Sequence, residues 1–140
     1  MQSANKEAAL THYQEAARLN PWNASIHHTY GVLLSGFGRM VEARVELETA
    51  IRLDPKLDKV HYDLGLVLQN LGQMKQAEAA YRAALEQDPN HAETYNNLGV
   101  ILAESGDLRA AFENFDTALK LDPNNKDAAS NLERARKALD

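Results

Sequence analysis

The apolar positions of this chain recur with helical spacing, interrupted at glycine and proline. One stripe consists of Thr94, Leu98, Ile101 and Leu102, and the next of Leu108, Ala111, Phe115, Ala118 and Leu119. Spacings of three, four and seven residues keep side chains on one face of a helix. Gly106 separates the stripes, and Pro123 ends the second because proline cannot continue a helical hydrogen-bond ladder. The segment therefore predicts two antiparallel helices.

The same pattern recurs every 34 residues along the chain. The prolines at this period are Pro21, Pro55, Pro89 and Pro123. Further sets are Gly31, Gly65 and Gly99; Gly38, Gly72 and Gly106; Ala43, Ala77 and Ala111; Ala50, Ala84 and Ala118. Self-similarity at a fixed period is typical of repeat architectures. A glycine inside a helix costs about 1 kcal/mol relative to alanine, so we expect the first glycine set to allow close approach of the paired helix at the first alanine set.

A 34-residue helix-turn-helix with this spacing resembles the tetratricopeptide repeat (TPR), and the resemblance covers nearly the whole chain. The third repeat carries it most fully, at Tyr95, Leu98, Gly99, Leu102, Ala111, Phe115, Ala118 and Pro123. The second has His61 and Tyr81 at the family's aromatic positions. The first departs furthest, with His27, Tyr30 and Leu47 at signature positions. The resemblance implies an all-α fold, a right-handed α-solenoid of antiparallel helix pairs (TPR superhelix).

The repeat pattern divides one predicted domain, residues 1–140, into five parts. These are an N-terminal half repeat (1–23), three repeats (24–57, 58–91 and 92–125) and a capping helix (126–140). In the capping helix, Ala128, Leu132, Ala135 and Leu139 are expected to face the last repeat. Glu133 stands where a repeat has its glycine, which is typical of a terminal helix with a polar outer face.

The family resemblance places the first helix of each repeat along a concave groove. The predicted groove residues are His28, Thr29, Val32, Lys59, Tyr62, Asp63, Leu66, Asn96, Asn97, Val100 and Asn131. An apolar row beside hydrogen-bonding side chains suits a polypeptide, whose backbone needs polar partners and whose side chains need apolar contact. Alternatively, the apolar row of Val32, Leu66 and Val100 forms the edge of the core.

Two specific groove functions of the family match this sequence poorly. Asn97 and Asn131 resemble part of an asparagine ladder, which Thr29 and Asp63 interrupt. Family members that bind chaperone tails hold a terminal carboxylate with Lys, Asn, Asn, Lys and Arg. The corresponding residues here are His28, Val32, Asp63, Glu93 and Asn97, none of which matches, and a frame one repeat later gives one match. We therefore predict that heat-shock chaperone C-terminal tails are not partners.

The composition narrows the classes of partner and the compartment. The net charge is -5 and cysteine is absent. Nucleic acids and anionic membranes favour basic proteins, so neither is an expected partner. The longest apolar runs are far shorter than the ~20 residues that span a bilayer, and the N-terminus lacks the apolar segment of a signal peptide. These features predict a cytoplasmic protein without membrane insertion.

No catalytic, cofactor or metal motif emerges from the sequence. His27 and His61 occupy equivalent repeat positions, but without HExxH, cysteine or a dedicated carboxylate they are expected to fill an aromatic packing position. No serine stands in a nucleophile elbow. We therefore predict a non-enzymatic protein that needs no cofactor.

Three functions remain open at this point. The first is a scaffold or adaptor that binds a polypeptide segment in the groove. The second is a self-assembling scaffold, because Ala9, Tyr13 and Ala16 match the second helix of a repeat whose first helix is missing. The third is a targeting domain excised from a larger protein, and the same incomplete first repeat supports this hypothesis.

Overall fold

Helices account for all the regular secondary structure in the described part of the chain. The computed structural model describes residues 2–140, so Met1 of the predicted half repeat lies outside it. These residues form eight helices and no strand. The helices are α1 (Gln2–Leu19), α2 (Ala24–Gly36), α3 (Met40–Leu53), α4 (Val60–Asn70), α5 (Met74–Gln87), α6 (Ala92–Glu104), α7 (Leu108–Leu121) and α8 (Lys126–Leu139). The predicted all-α class is confirmed.

The turn within each helix pair depends on a glycine in a left-handed conformation. Gly38, Gly72 and Gly106 have φ angles of +77°, +77° and +95°. Side chains with a Cβ rarely adopt such angles, so glycine at this position allows the chain to reverse within a few residues. Each predicted 34-residue repeat accordingly contains two helices.

The chain forms two compact units. The N-terminal unit runs to Ala77 and the C-terminal unit covers Glu78–Asp140. In the N-terminal unit α3 packs against both α2 and α4, and α1 packs against α2. Leu34, Leu47 and Val60 are fully buried in this unit. Tyr30 is also part of this core, and its burial raises the pKa of its hydroxyl. Whether residues 1–140 act as a single domain stays a prediction.

In the C-terminal unit α7 packs against α6 and α8, and α8 also contacts α6. Phe115 and Leu98 are buried between the helices, as are Ala128 and Ala135 of α8. Leu132 is half-buried, whereas Leu139 is 47% exposed at the end of the helix. Of the four residues expected to face the preceding repeat, Leu139 is therefore the least covered.

The helix-interior glycines mark close contacts, but mainly with a different residue from the one expected. A Cβ added to Gly99 would lie 2.5 Å from Cε1 of Phe115, and one added to Gly31 would lie 2.8 Å from Cγ of Leu47. The expected alanine makes a longer contact through its backbone, since the Ala43 carbonyl oxygen would lie 3.3 Å from the Cβ added to Gly31. The glycines therefore accommodate a large side chain of the second helix.

Candidate functional site

The predicted groove residues of the N-terminal unit lie on α2 and α4, which contact each other. His28 of α2 and Asp63 of α4 form an ion pair, with Nε2 and Oδ2 2.6 Å apart. Val32 and Leu66 are 41% and 40% exposed, so both belong to the surface. Thr29 and Tyr62 are half-buried.

Lys59, the remaining predicted residue of this unit, has an unusual backbone. Its φ of 69° is the one positive φ of a non-glycine residue in the described chain. It is exposed and directly precedes α4. Helices α2 and α6 begin at Ala24 and Ala92, so the equivalent start would be Asp58. The left-handed residue thus delays α4 by two positions and moves the Lys59 side chain off the helix.

The C-terminal unit contains an equivalent pair, made of two amides. Asn131 Nδ2 donates a hydrogen bond to Asn96 Oδ1 over 3.0 Å. Both pairs connect residues 35 apart in the chain. All four residues were predicted to lie in the groove, but their pairing was not predicted. The 35-residue spacing is the signal that could have revealed the pairing. It is one residue longer than the 34-residue period, so it connects a position of one repeat to the adjacent position of the following repeat.

The amide pair leaves polar groups for a ligand. Asn131 uses one N–H and Asn96 uses its carbonyl oxygen. Within residues 2–140 neither side chain makes another hydrogen bond, so an Asn96 amide group and the Asn131 carbonyl oxygen stay available. One donor and one acceptor match the C=O and N–H of a polypeptide backbone.

An open pocket of about 370 Å³ lies beside this pair. Its walls are α6 and α8, and α7 forms its base. The lining residues are Val100, Ala103, Glu104, Leu108, Phe115, Asn131, Arg134, Ala135 and Ala138. Only Val100 and Asn131 were predicted. The small residues Ala103, Ala135 and Ala138 leave the space between the helices, a signal that a periodic hydrophobic pattern does not separate from ordinary core packing.

Two predicted groove residues remain. Asn97 lies on α6 and is half-buried. Val100, the C-terminal member of the predicted apolar row, is also half-buried and belongs to the pocket wall.

His27 of the first repeat occupies an aromatic position of the repeat. Its Nε2 donates to the Pro21 carbonyl oxygen over 2.9 Å, and its Nδ1 lies 2.6 Å from Glu46 Oε2. Tyr95 likewise donates from its hydroxyl to the Pro89 carbonyl oxygen at 2.9 Å. His27 thus engages both ring nitrogens within the protein. No group of three or more metal-ligating side chains is found among the described residues.

The predicted self-association residues lie on α1, which has no fully buried residue. Ala9, Tyr13 and Ala16 are half-buried. Their equivalents one repeat later, Ala43, Leu47 and Ala50, are completely buried. Two exposed apolar side chains lie nearby in the chain and were not predicted, Leu19 at 61% and Trp22 at 83%.

Comparisons with known proteins identify the repeat. A family model described as "Tetratricopeptide repeat" matches residues 62–126. The crystal structure of MamA superposes with a TM-score of 0.92 at 19% identity, covering 98% of this chain and 80% of that chain. The first TPR of Spaghetti (RPAP3), bound to the HSP90 peptide SRMEEVD, gives 0.79 at 21% identity, covering 83% and 92%. The Arabidopsis OM64 TPR domain gives 0.78 at 23% identity, covering 81% and 94%.

At these identities the likeness concerns the fold, which is that of a TPR solenoid. A search of the curated proteins found no match. No helix in the described part of the chain has the length and hydrophobicity needed to cross a membrane.

Proposed function

We propose that this tetratricopeptide-repeat protein is a non-enzymatic scaffold or adaptor that binds a segment of another polypeptide. TPR folds are typical of protein–protein interaction modules, and the RPAP3 domain was solved with a peptide bound. We extend the proposal to the absence of nucleic-acid partners, since the net charge is -5. A cytoplasmic location is also proposed, because a chain without cysteine fits a reducing compartment.

The observation that carries the proposal is the pocket beside the Asn96–Asn131 pair. Its volume of about 370 Å³ falls within the range of ligand sites, roughly 300–1,000 Å³. Apolar residues form most of its lining, and the amide pair offers one donor and one acceptor at its edge. A peptide can place one apolar side chain in the pocket while its backbone bonds the two amides.

Chaperone tails remain outside the proposed partners. A terminal carboxylate entering the N-terminal unit would meet Asp63, whose charge opposes it, and His28 is already paired with Asp63. The N-terminal unit is therefore expected not to hold the terminal carboxylate of such a tail.

The test is selection of binding peptides from a random twelve-residue library displayed on phage, followed by fluorescence anisotropy with the selected peptides. Two variants alter the site: Asn96→Ala combined with Asn131→Ala removes the amides, and Ala138→Trp fills the pocket. Each lost hydrogen bond contributes about 0.5–1.5 kcal/mol, so the double variant should weaken binding about tenfold.

Matched controls are Asn70→Ala and Ala79→Trp, which change exposed residues outside the lining. Circular dichroism establishes that every variant keeps its helicity. Failure to select any peptide, or equal binding by the site variants and the wild type, would contradict the proposal.

A second candidate function is self-assembly through α1. The observation that favours it is the contrast between half-buried Ala9, Tyr13 and Ala16 and their completely buried equivalents in the next repeat. A helix from a second copy would complete this burial. The solution mass as a function of concentration tests this function.

A further inference from the structure

We propose that the pocket of the C-terminal unit selects peptides in which one apolar anchor residue is flanked by an acidic residue on one side and a basic residue on the other. The inference rests on the proposed function and adds the chemistry of the partner. It follows from the two charged residues of the lining, Glu104 and Arg134.

These charges stand on opposite walls of the pocket. Glu104 is the last residue of α6 and lies four residues after Val100, so both share one helix face. Arg134 follows Asn131 by three residues on α8. The apolar base, Leu108 and Phe115 of α7, lies below them. An anchor side chain seated on this base would therefore have a carboxylate on one side and a guanidinium on the other.

Neither charge is neutralised within the protein. Among residues 2–140 Glu104 and Arg134 form no hydrogen bond or ion pair, with each other or with other residues. The ion pairs of α7 and α8 lie elsewhere, between Lys120 and Asp116 and between Arg136 and Glu133. The pocket thus keeps two opposite charges for a ligand.

The helix end strengthens the preference at Glu104. The C-terminus of a helix carries a partial negative charge from its free carbonyl groups, which favours a cation nearby. Glu104 is located at the C-terminus of α6, so both contributions attract a basic group. Arg134 lies within α8, more than one turn from either end, and its charge acts alone.

This charge arrangement decides between classes of peptide. A peptide with acidic residues on both sides would be attracted by Arg134 but repelled by Glu104. A peptide with basic residues on both sides would be attracted by Glu104 but repelled by Arg134. A mixed-charge peptide satisfies both walls in one orientation.

The experiment measures binding of four labelled twelve-residue peptides, acetylated and amidated to remove terminal charges. Each has a central leucine and four flanking residues that differ between the peptides. In three peptides the flanking residues are all glutamate, all lysine or all glutamine. In the mixed peptide they are glutamate on one side of the leucine and lysine on the other. For the wild type the mixed peptide should bind about three- to tenfold more tightly than either single-sign peptide at low salt. The preference should shrink as salt increases.

Two variants turn the preference in opposite directions. Arg134→Glu should favour the all-lysine peptide and Glu104→Lys the all-glutamate peptide. Matched controls, Arg109→Glu and Glu113→Lys, make the same charge changes on exposed positions of α7 outside the lining. These control variants should still bind the mixed peptide more tightly than either single-sign peptide.

The outcomes separate this inference from the proposed function. Equal binding of all four peptides, or control variants that shift the preference equally, would overturn the inference while leaving peptide binding standing. If none of the four peptides binds, both fail. A wild-type dimer that Arg134→Glu dissociates would identify a second copy as the occupant, and that too would overturn the inference.

Discussion

Gly99 sits where the chain has no space for a side chain. An added Cβ would be 2.5 Å from Cε1 and 2.7 Å from Cδ1 of Phe115, a ring that is 2% exposed. Real Cβ atoms essentially never approach another atom this closely, so the ring would have to shift. The smallest possible enlargement, a methyl group, is therefore enough to force a rearrangement.

We predict that Gly99→Ala lowers the free energy of unfolding by about 1–3 kcal/mol, the usual effect of overpacking. Gly36→Ala is the control, because an added Cβ there meets nothing within 4 Å and helix propensity favours alanine by up to about 1 kcal/mol. Urea denaturation followed by circular dichroism measures both. Combining Gly99→Ala with Phe115→Leu should recover part of the loss, and a double variant with no recovery would contradict this explanation.

At the residue scale the sequence predicted which glycines matter but named the wrong partner. The 34-residue period aligned Gly31 and Gly99 with Ala43 and Ala111 of the second helix. The contacting side chains are Leu47 and Phe115, four residues further on. Periodicity fixes the helix face on which a residue lies, whereas side-chain length and rotamer decide what it touches, and a repeat pattern does not contain that information.

The helix that completes the candidate site, α8, begins with a side-chain cap. Asn125 Oδ1 accepts a hydrogen bond from the Ala128 backbone N–H over 3.0 Å. This bond satisfies one of the donors that the first turn of a helix leaves without a partner. Since α8 supplies one wall of the pocket, its stability and the site's geometry are connected.

We predict that Asn125→Ala destabilises the protein by about 1 kcal/mol and weakens peptide binding as the first turn of α8 frays. Asn124→Ala, which changes the exposed neighbour, should do neither. Amide hydrogen exchange of Ala128 and anisotropy with a selected peptide measure the two effects. Unchanged exchange at Ala128 would show that the cap is not what holds the helix end.

At the element scale the pattern predicted the helix pairs well and one helix start poorly. Helices α2 and α6 begin at equivalent repeat positions, whereas α4 begins two residues late after the left-handed Lys59. Backbone conformation at a helix entry depends on local turn geometry. A lysine gives no sign of a positive φ, as glycine or asparagine would.

At the scale of the whole chain, self-association through α1 predicts a mass that depends on concentration. The mass by light scattering should rise from monomer toward dimer or beyond as concentration increases. Ala9→Glu or Tyr13→Glu should return it to the monomer because a charge would be buried without a partner. Ala8→Glu, at an exposed neighbouring position, should leave association intact. A constant monomer mass for the wild type would exclude this function.

The period was sufficient to predict the TPR fold because each repeat buries its apolar face only against its neighbours. The pocket was not predictable in the same way. It exists because small side chains of α6 and α8 face each other above Phe115, and such a gap depends on residues brought together by folding. Asn131 and Val100 were identified by their repeat position, whereas Arg134 was not among the predicted groove residues.

The hydrogen bond between Asn96 and Asn131 has a thermodynamic consequence for any peptide that binds there. Both amide groups are held in one orientation before the ligand arrives. A side chain that is free to rotate loses conformational entropy when it is immobilised at an interface, about 0.5–1.5 kcal/mol for a rotamer-rich residue. Here the protein has ordered these amides during its own folding. The site is preorganised, so more of the binding enthalpy is retained as affinity.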